Sequence, residues 1–138
     1  MNTYQIYFRG YRRDENASEL PSYSGIYIVY TCVYNTIQKT VSLKDLIYIG
    51  QARNIQERVC THDMREKFLA ELKNEEQLCY AYAEVDVADL NIIENALIFS
   101  QKPKLNSQYT RSFNYPSSCF IVEGKCALLN NKYFSIIK

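Results

Sequence analysis

Tryptophan is absent from this chain of 138 residues, histidine occurs once, and neither sign of charge dominates. With 16 Lys and Arg against 15 Asp and Glu, the net charge is +1. That balance excludes a global basic field, so a nucleic-acid partner would have to be held by local clusters or by the joined faces of a dimer. The cysteines, Cys32, Cys60, Cys79, Cys119 and Cys126, are odd in number and include no C-x-x-C pair. This count argues against a disulfide scaffold and a zinc ribbon; the expectation is a reducing, cytoplasmic setting with the thiols as small core fillers. No signal-peptide pattern, long apolar run, internal repeat, low-complexity tract or linker is visible. Length and a hydrophobic fraction of 47% are those of one soluble domain able to bury its own core.

Tyrosine is what the chain has in excess: thirteen, beside six Phe. The side chain is amphipathic, so the surplus suits half-wet sheet faces, including ones on which a base or sugar can lie. Residues 1–24 carry FRGYRR at 8–13 and then the polar, acidic DENASELPS, which together read as a partly ordered N-terminal arm. From Gly25 to Tyr34 almost every residue is β-branched or aromatic, and Val41 to Gly50 reads as the returning strand after a turn over Asn35–Thr40. Each side is longer than the usual strand, so the far end is expected to project as a ribbon. Asn54 and Glu57 form a helix-opening capping pair, and the helix runs to about Asn74 with a break near His62-Asp63. Leu78 to Val85 alternates like a third strand. Asp86 is placed to cap a second helix ending at Gln101, where Pro103 stops it. SCFIVEGKCALL then resembles a closing hairpin around Glu123-Gly124. The expected fold is a small α/β sandwich: a three-stranded antiparallel sheet flanked by helices, in the order β-β-α-β-α, with residues 107–138 as a β-rich extension on the 25–106 core.

Glu94 is the sharpest single feature. Leu90, Ile93 and Leu97 mark the buried stripe of the second helix, and Glu94 falls on it between Leu90 and Ile98. A carboxylate there needs a cation, either a nearby arginine or a Mg²⁺ ion that takes one carboxylate and keeps its waters, or else a place at the stripe's wet end. Arg58 and His62, at i and i+4, face the same way on the first helix. One offers a planar, permanently charged fork for phosphate oxygens; the other serves either proton transfer or simple packing.

Gly25-Ile26-Tyr27 and Tyr48-Ile49-Gly50, followed by Arg58, His62, Glu94 and the PKLN run ending in Asn106, resemble the GIY-YIG nuclease superfamily over residues 25–106. The compactness is similar to that of its restriction-endonuclease branch, although twenty residues separate Tyr27 from Tyr48, more than in many members. The resemblance implies a metal-dependent DNA endonuclease. Tyr27 or Tyr48 would be the general base, Tyr27 with His62 taking its proton being preferred. Arg58 would stabilise phosphate charge, Glu94 would hold Mg²⁺ (or Mn²⁺), and Asn106 would order the backbone beside the site. A phenol with a pKa of about 10 is almost wholly protonated at neutral pH, so such a base needs help. Arg9, Arg12, Arg13, Arg53, Lys102, Lys104 and Arg111 are candidate backbone contacts to DNA, and a homodimer would supply the two cuts a duplex requires. The competing expectations are a structure-specific nickase or RNA-directed nuclease within a larger assembly, and a binding module without catalysis.

Overall fold

The computed structural model describes residues 1–138. Its first element corrects the N-terminal expectation: NTYQIYFRGYRR is not an arm but a twelve-residue strand, β1 (Asn2–Arg13). Ile6 and Phe8, two apart and therefore on one face, are fully buried. A 3₁₀ turn (Asp14–Glu19) leads to the long hairpin of β2 (Gly25–Asn35) and β3 (Thr40–Ala52). Two short helices follow, α1 (Ile55–Cys60) and α2 (Arg65–Ala70), then β4 (Glu76–Glu84). α3 (Leu90–Gln101), β5 (Ser118–Gly124) and β6 (Tyr133–Ile136) complete the chain. No helix is long and apolar enough to cross a membrane.

The strands form one six-stranded, curled, mixed sheet in the order β3-β2-β4-β1-β5-β6, and the fold is α+β. The expected three-stranded antiparallel sheet is present as β3-β2-β4. It is only half of the whole, because β1 pairs antiparallel with β4 and parallel with β5. The closing hairpin is also re-drawn. Gly124, at φ 89°, ends β5, and the antiparallel partner is β6 rather than the CALL run, which instead buries Cys126 and Leu129. Four of the five cysteines are buried and all are free thiols.

Strand alternation sorts the side chains into two cores. Ile26, Ile28, Tyr30 and Cys32 of β2 face α3, whose Leu90, Ile93, Ala96, Leu97 and Ile98 close over them. Each fully buried Leu or Ile there contributes about 1.5–3 kcal/mol. Tyr27 and Val29 face the other way, against Ala17, Leu20, Ile55, Val59 and Phe68. β3 carries two bulges: Val29 pairs with Tyr48 but Tyr30 with Leu46, and Thr31 with Asp45 but Cys32 with Leu43. The first leaves Ile47 unpaired, so the consecutive residues Ile47 and Tyr48 both pack on the Tyr27 side.

The helices differ from expectation in their ends. Asn54 Oδ1 accepts from the Glu57 amide at 3.0 Å, as the capping pair requires. α1 nevertheless stops at Cys60, where Thr61 turns non-helical, and a four-residue break precedes α2. The Asp86 side chain makes no capping bond; Asp86 opens a 3₁₀ turn (Val87–Asp89) that comes between it and α3. α3 ends as anticipated, with Lys102 in the left-handed region before Pro103.

Candidate active site

Tyr27 sits early in β2 and is 1% exposed, its ring lying over Gly50 of the neighbouring strand. A Cβ on Gly50 would stand 2.4 Å from Tyr27 Oη. Close approach of a phenol, not a turn, is therefore what requires glycine at position 50. Gly25 answers to the same kind of constraint, since a Cβ there would lie 1.9 Å from the Ala83 carbonyl oxygen of β4.

His62 lies in the break between α1 and α2, so it does not share a helix face with Arg58. The break nonetheless turns its imidazole inward, 4.8 Å from Phe68 and 5.4 Å from Tyr48 by ring centroids. Nε2 stands 2.7 Å from Tyr27 Oη, and Nδ1 accepts from the Met64 amide at 3.1 Å. Burial, and then the charge of Arg58, push the His62 pKa down to about 4, so the ring is neutral at physiological pH. A neutral imidazole carries one proton, and the Met64 amide already occupies Nδ1. The network therefore assigns that proton to Nε2, which donates to Tyr27 Oη. The 3.4 Å approach of Nδ1 to Asp63 is accordingly not an ion pair. With Nδ1 occupied by the Met64 amide, the resting His62 is a donor to the phenol oxygen.

Arg58 lies in the last turn of α1, beside Tyr27, with Nη1 2.9 Å from Asp63 Oδ1. Asp63 is largely exposed, and the guanidinium holds its carboxyl below the usual range. Burial, then Tyr48, raises the Tyr27 pKa well above that of a free phenol, and Arg58 opposes the rise. Burial, then Glu94, raises that of Tyr48. The tyrosines are 6.3 Å apart by ring centroids.

Glu94 comes from α3 and is buried, paired with no arginine. Gln51 Nε2 donates to its Oε1 at 2.9 Å and also to Asn91 Oδ1 at 2.8 Å. Burial raises the Glu94 pKa, and the Gln51 hydrogen bonds are the main opposing influence. Glu94, Tyr48, Met64 and Asn106 border one cleft of about 230 Å³. No group of three or more His, Cys, Asp or Glu side chains is placed to hold a metal. A single buried carboxylate, with Oε1 steadied by an amide, fits a Mg²⁺ that keeps most of its waters and does not fit zinc.

Both carboxamide atoms of Asn106 are engaged with the backbone. Its Oδ1 accepts from the Ile49 amide at 3.0 Å while its Nδ2 donates to the Ile49 carbonyl at 2.9 Å. Leu105 N donates to Ile47 O at 3.0 Å, so residues 105–106 dock on the outer edge of β3 and hold the backbone that carries Tyr48.

The cations anticipated for DNA are dispersed. Lys102 bonds the carbonyls of Phe99 and Thr110, and Lys104 pairs with Glu71 at 2.6 Å. Arg53 borders a surface pocket with Arg58, and Arg111 is exposed without an ion pair. Arg9 lies over Tyr7, while Arg12 and Arg13 sit at the far end of β1. Three groups at the site were not anticipated. Gln51 directly follows the YIG run and was legible by strand alternation. Asp63 and the Asp14–Arg65 clamp, bidentate at 2.7 and 3.0 Å and joined by Tyr80, bring no local pattern with them.

Compared with family models, curated proteins and solved structures, the chain matches none. What supports a functional reading is therefore the residues themselves and their arrangement.

Proposed function

We propose that this protein is a GIY-YIG-type endonuclease that hydrolyses phosphodiester bonds in DNA. The observation that carries the reading is the hydrogen bond between Tyr27 Oη and His62 Nε2, placed beside Arg58, Tyr48 and the buried Glu94. Two strands, a helix end, an inter-helix break and a second helix contribute one group each, and a structural role alone needs no such convergence.

Tyr27 is the base. Burial disfavours its ionisation, and the Nε2 proton of His62 and the charge of Arg58 oppose that burial. Both stabilise the tyrosinate once substrate and water enter the site and the phenol proton is passed out through that water. The tyrosinate takes a proton from water as the water oxygen bonds to phosphorus and the bond to the leaving 3′ oxygen breaks. Arg58 leaves Asp63 to meet the phosphate oxygens, and Tyr48 orients water or phosphate from the cleft side. Glu94 would hold Mg²⁺ or Mn²⁺, with Gln51 fixing its carboxylate; the bound ion supplies polarisation of the phosphate and support for the leaving oxygen.

Plasmid nicking and linearisation in Mg²⁺ and in EDTA, with Glu94→Ala alongside, tests the reading. Mg²⁺-dependent cutting lost in the variant supports it. Discrete double-strand fragments favour a restriction-like homodimer. A second reading, a nickase or RNA-cutting subunit of a larger assembly, draws on the absence of any cation lining the Tyr48–Glu94 cleft. Single cuts confined to branched DNA or to RNA favour it. No cutting on any of these substrates favours a binding module.

A further inference from the structure

No cation lines the Tyr48–Glu94 cleft, and Arg58 beside Tyr27 is already paired with Asp63, whereas four other cations meet at a separate place. Arg12 and Arg13 at the end of β1, Lys39 at the β2–β3 turn and Lys125 just past β5 line a cleft of about 410 Å³ with Tyr11 and Tyr34. No carboxylate lines it, in a chain whose net charge is only +1. The arginines do have glutamates, Glu15 at 2.7 Å from Arg13 and Glu19 at 3.8 Å from Arg12, both on the 3₁₀ turn outside the cleft and well exposed. Lys39 and Lys125 have no ion pair at all.

The cleft is also pre-shaped. The Arg13 guanidinium lies 3.7 Å from the Tyr34 ring centroid, a cation–π contact that fixes its plane. Asn35 Oδ1 accepts from the amides of Ile37 and Gln38, and the Lys39 amide donates to Asn35 O, so the turn carrying Lys39 is rigid. The Arg12 Nε is buried with no hydrogen-bond partner, the one such side-chain atom in the protein. A buried unpaired donor on a cation is costly unless a ligand or water meets it.

We infer that this cleft is a second anchor for a nucleic-acid backbone, in which Lys39, Lys125 and the two arginines hold phosphates away from the scissile one. The inference rests on the nucleic-acid reading of the catalytic site and extends it to how substrate is held. From Tyr27 to Tyr34 along β2 is seven residues, about 23 Å at the rise of a strand. Seven is odd, so the two tyrosines point to opposite faces of β2, and phosphates held here belong to a flanking part of the substrate, not to one in line with the scissile phosphate. Phosphate contacts of this kind position a duplex without reading its sequence.

The test is fluorescence anisotropy of the full chain in EDTA with labelled duplex, single-stranded DNA and RNA over a salt series. Lys39→Ala/Lys125→Ala is compared with wild type and with Lys67→Ala/Lys73→Ala, which removes equal charge outside both clefts. All four lysines are exposed, so the folds are expected to survive, and circular dichroism checks this. The expected result on duplex is a severalfold higher Kd and a slope of log K against log salt shallower by about 1.8. The control pair leaves both unchanged, and cutting at saturating plasmid keeps its rate. Wild-type affinity and slope in the cleft variant would overturn the inference, as would a wild type that binds none of the three probes. Loss of slope in a protein that never cuts would sustain the anchor and sink the nuclease reading instead. Cutting with unchanged binding would do the reverse.

Discussion

Replacing Gly50 by alanine tests the geometry at the centre of the site without reference to any substrate. The added Cβ falls 2.4 Å from Tyr27 Oη and 2.5 Å from Cζ. Ordinary contact begins near 3.5 Å, so the ring must retreat by about 1 Å. Tyr27 is packed on all sides, and such overpacking costs about 1–3 kcal/mol. The same displacement, large against the tolerance of a 2.7 Å bond, disrupts the Tyr27–His62 hydrogen bond. Urea unfolding measures the first effect, and the ¹⁵N shifts of the single histidine report the second. A double-mutant cycle separates crowding from any intrinsic effect of alanine. In Tyr27→Ala the cavity accepts the new methyl, so Gly50→Ala becomes neutral or stabilising by about 0.5–1 kcal/mol, the ordinary gain over glycine in a strand. If Gly50→Ala is neutral in wild type, or equally costly in both backgrounds, the crowding argument is wrong. Under the nuclease reading, misplacing the base by about 1 Å also lowers the cutting rate on the order of a hundredfold.

Three further outcomes follow from the same geometry. His62 binds its proton near pH 6.5 when unfolded but near 4 when folded, so its contribution to stability is full above about 6.5 and is lost as pH falls toward 4. Urea unfolding at pH 7 and pH 4.5 should show wild type losing about 1–2 kcal/mol more than His62→Gln, the figure being discounted for solvent screening; equal losses would place the imidazole in water. Asn106→Ala removes two hydrogen bonds to Ile49 and should lower stability by about 1–3 kcal/mol in thermal unfolding, whereas a change under half that would mean residues 105–106 do not hold β3. Asp63→Asn frees Arg58 from its ion pair and, under the nuclease reading, should lower KM for plasmid while leaving kcat and the fold intact; a raised KM would show that Asp63 aims Arg58 rather than competing for it.

Much of the local architecture was legible because it depends on neighbours in the chain. The β2–β3 hairpin announces itself by a dense run of β-branched and aromatic residues, and the α1 cap by Asn54 and Glu57 three apart. Glu94 is conspicuous because a carboxylate interrupts an apolar stripe at helical spacing, and the structure does bury it. What failed had no local cause to read. FRGYRR looks like a solvated arm until Ile6 and Phe8 find the core between β4 and β5. The i, i+4 spacing of Arg58 and His62 pointed to a shared helix face, yet the two come together across a helix break.

By itself the sequence determined the strand and helix order from Gly25 to Gln101, the burial of Glu94 and the placement of Tyr27 and Tyr48 on paired strands, although β3 runs on past Tyr48 to Ala52. Propensity, periodicity and capping act over a few residues, and those are written in the chain. Only the tertiary structure decided that β1 is a central strand, that the Met64 amide reaches His62 Nδ1, that Gln51 holds Glu94 and that Asn106 is bound to Ile49. Each of these is set by which group occupies a given donor or acceptor once remote segments meet. A tautomer follows from the amide that reaches Nδ1, and a strand's place in a sheet from the backbone bonds on its two sides.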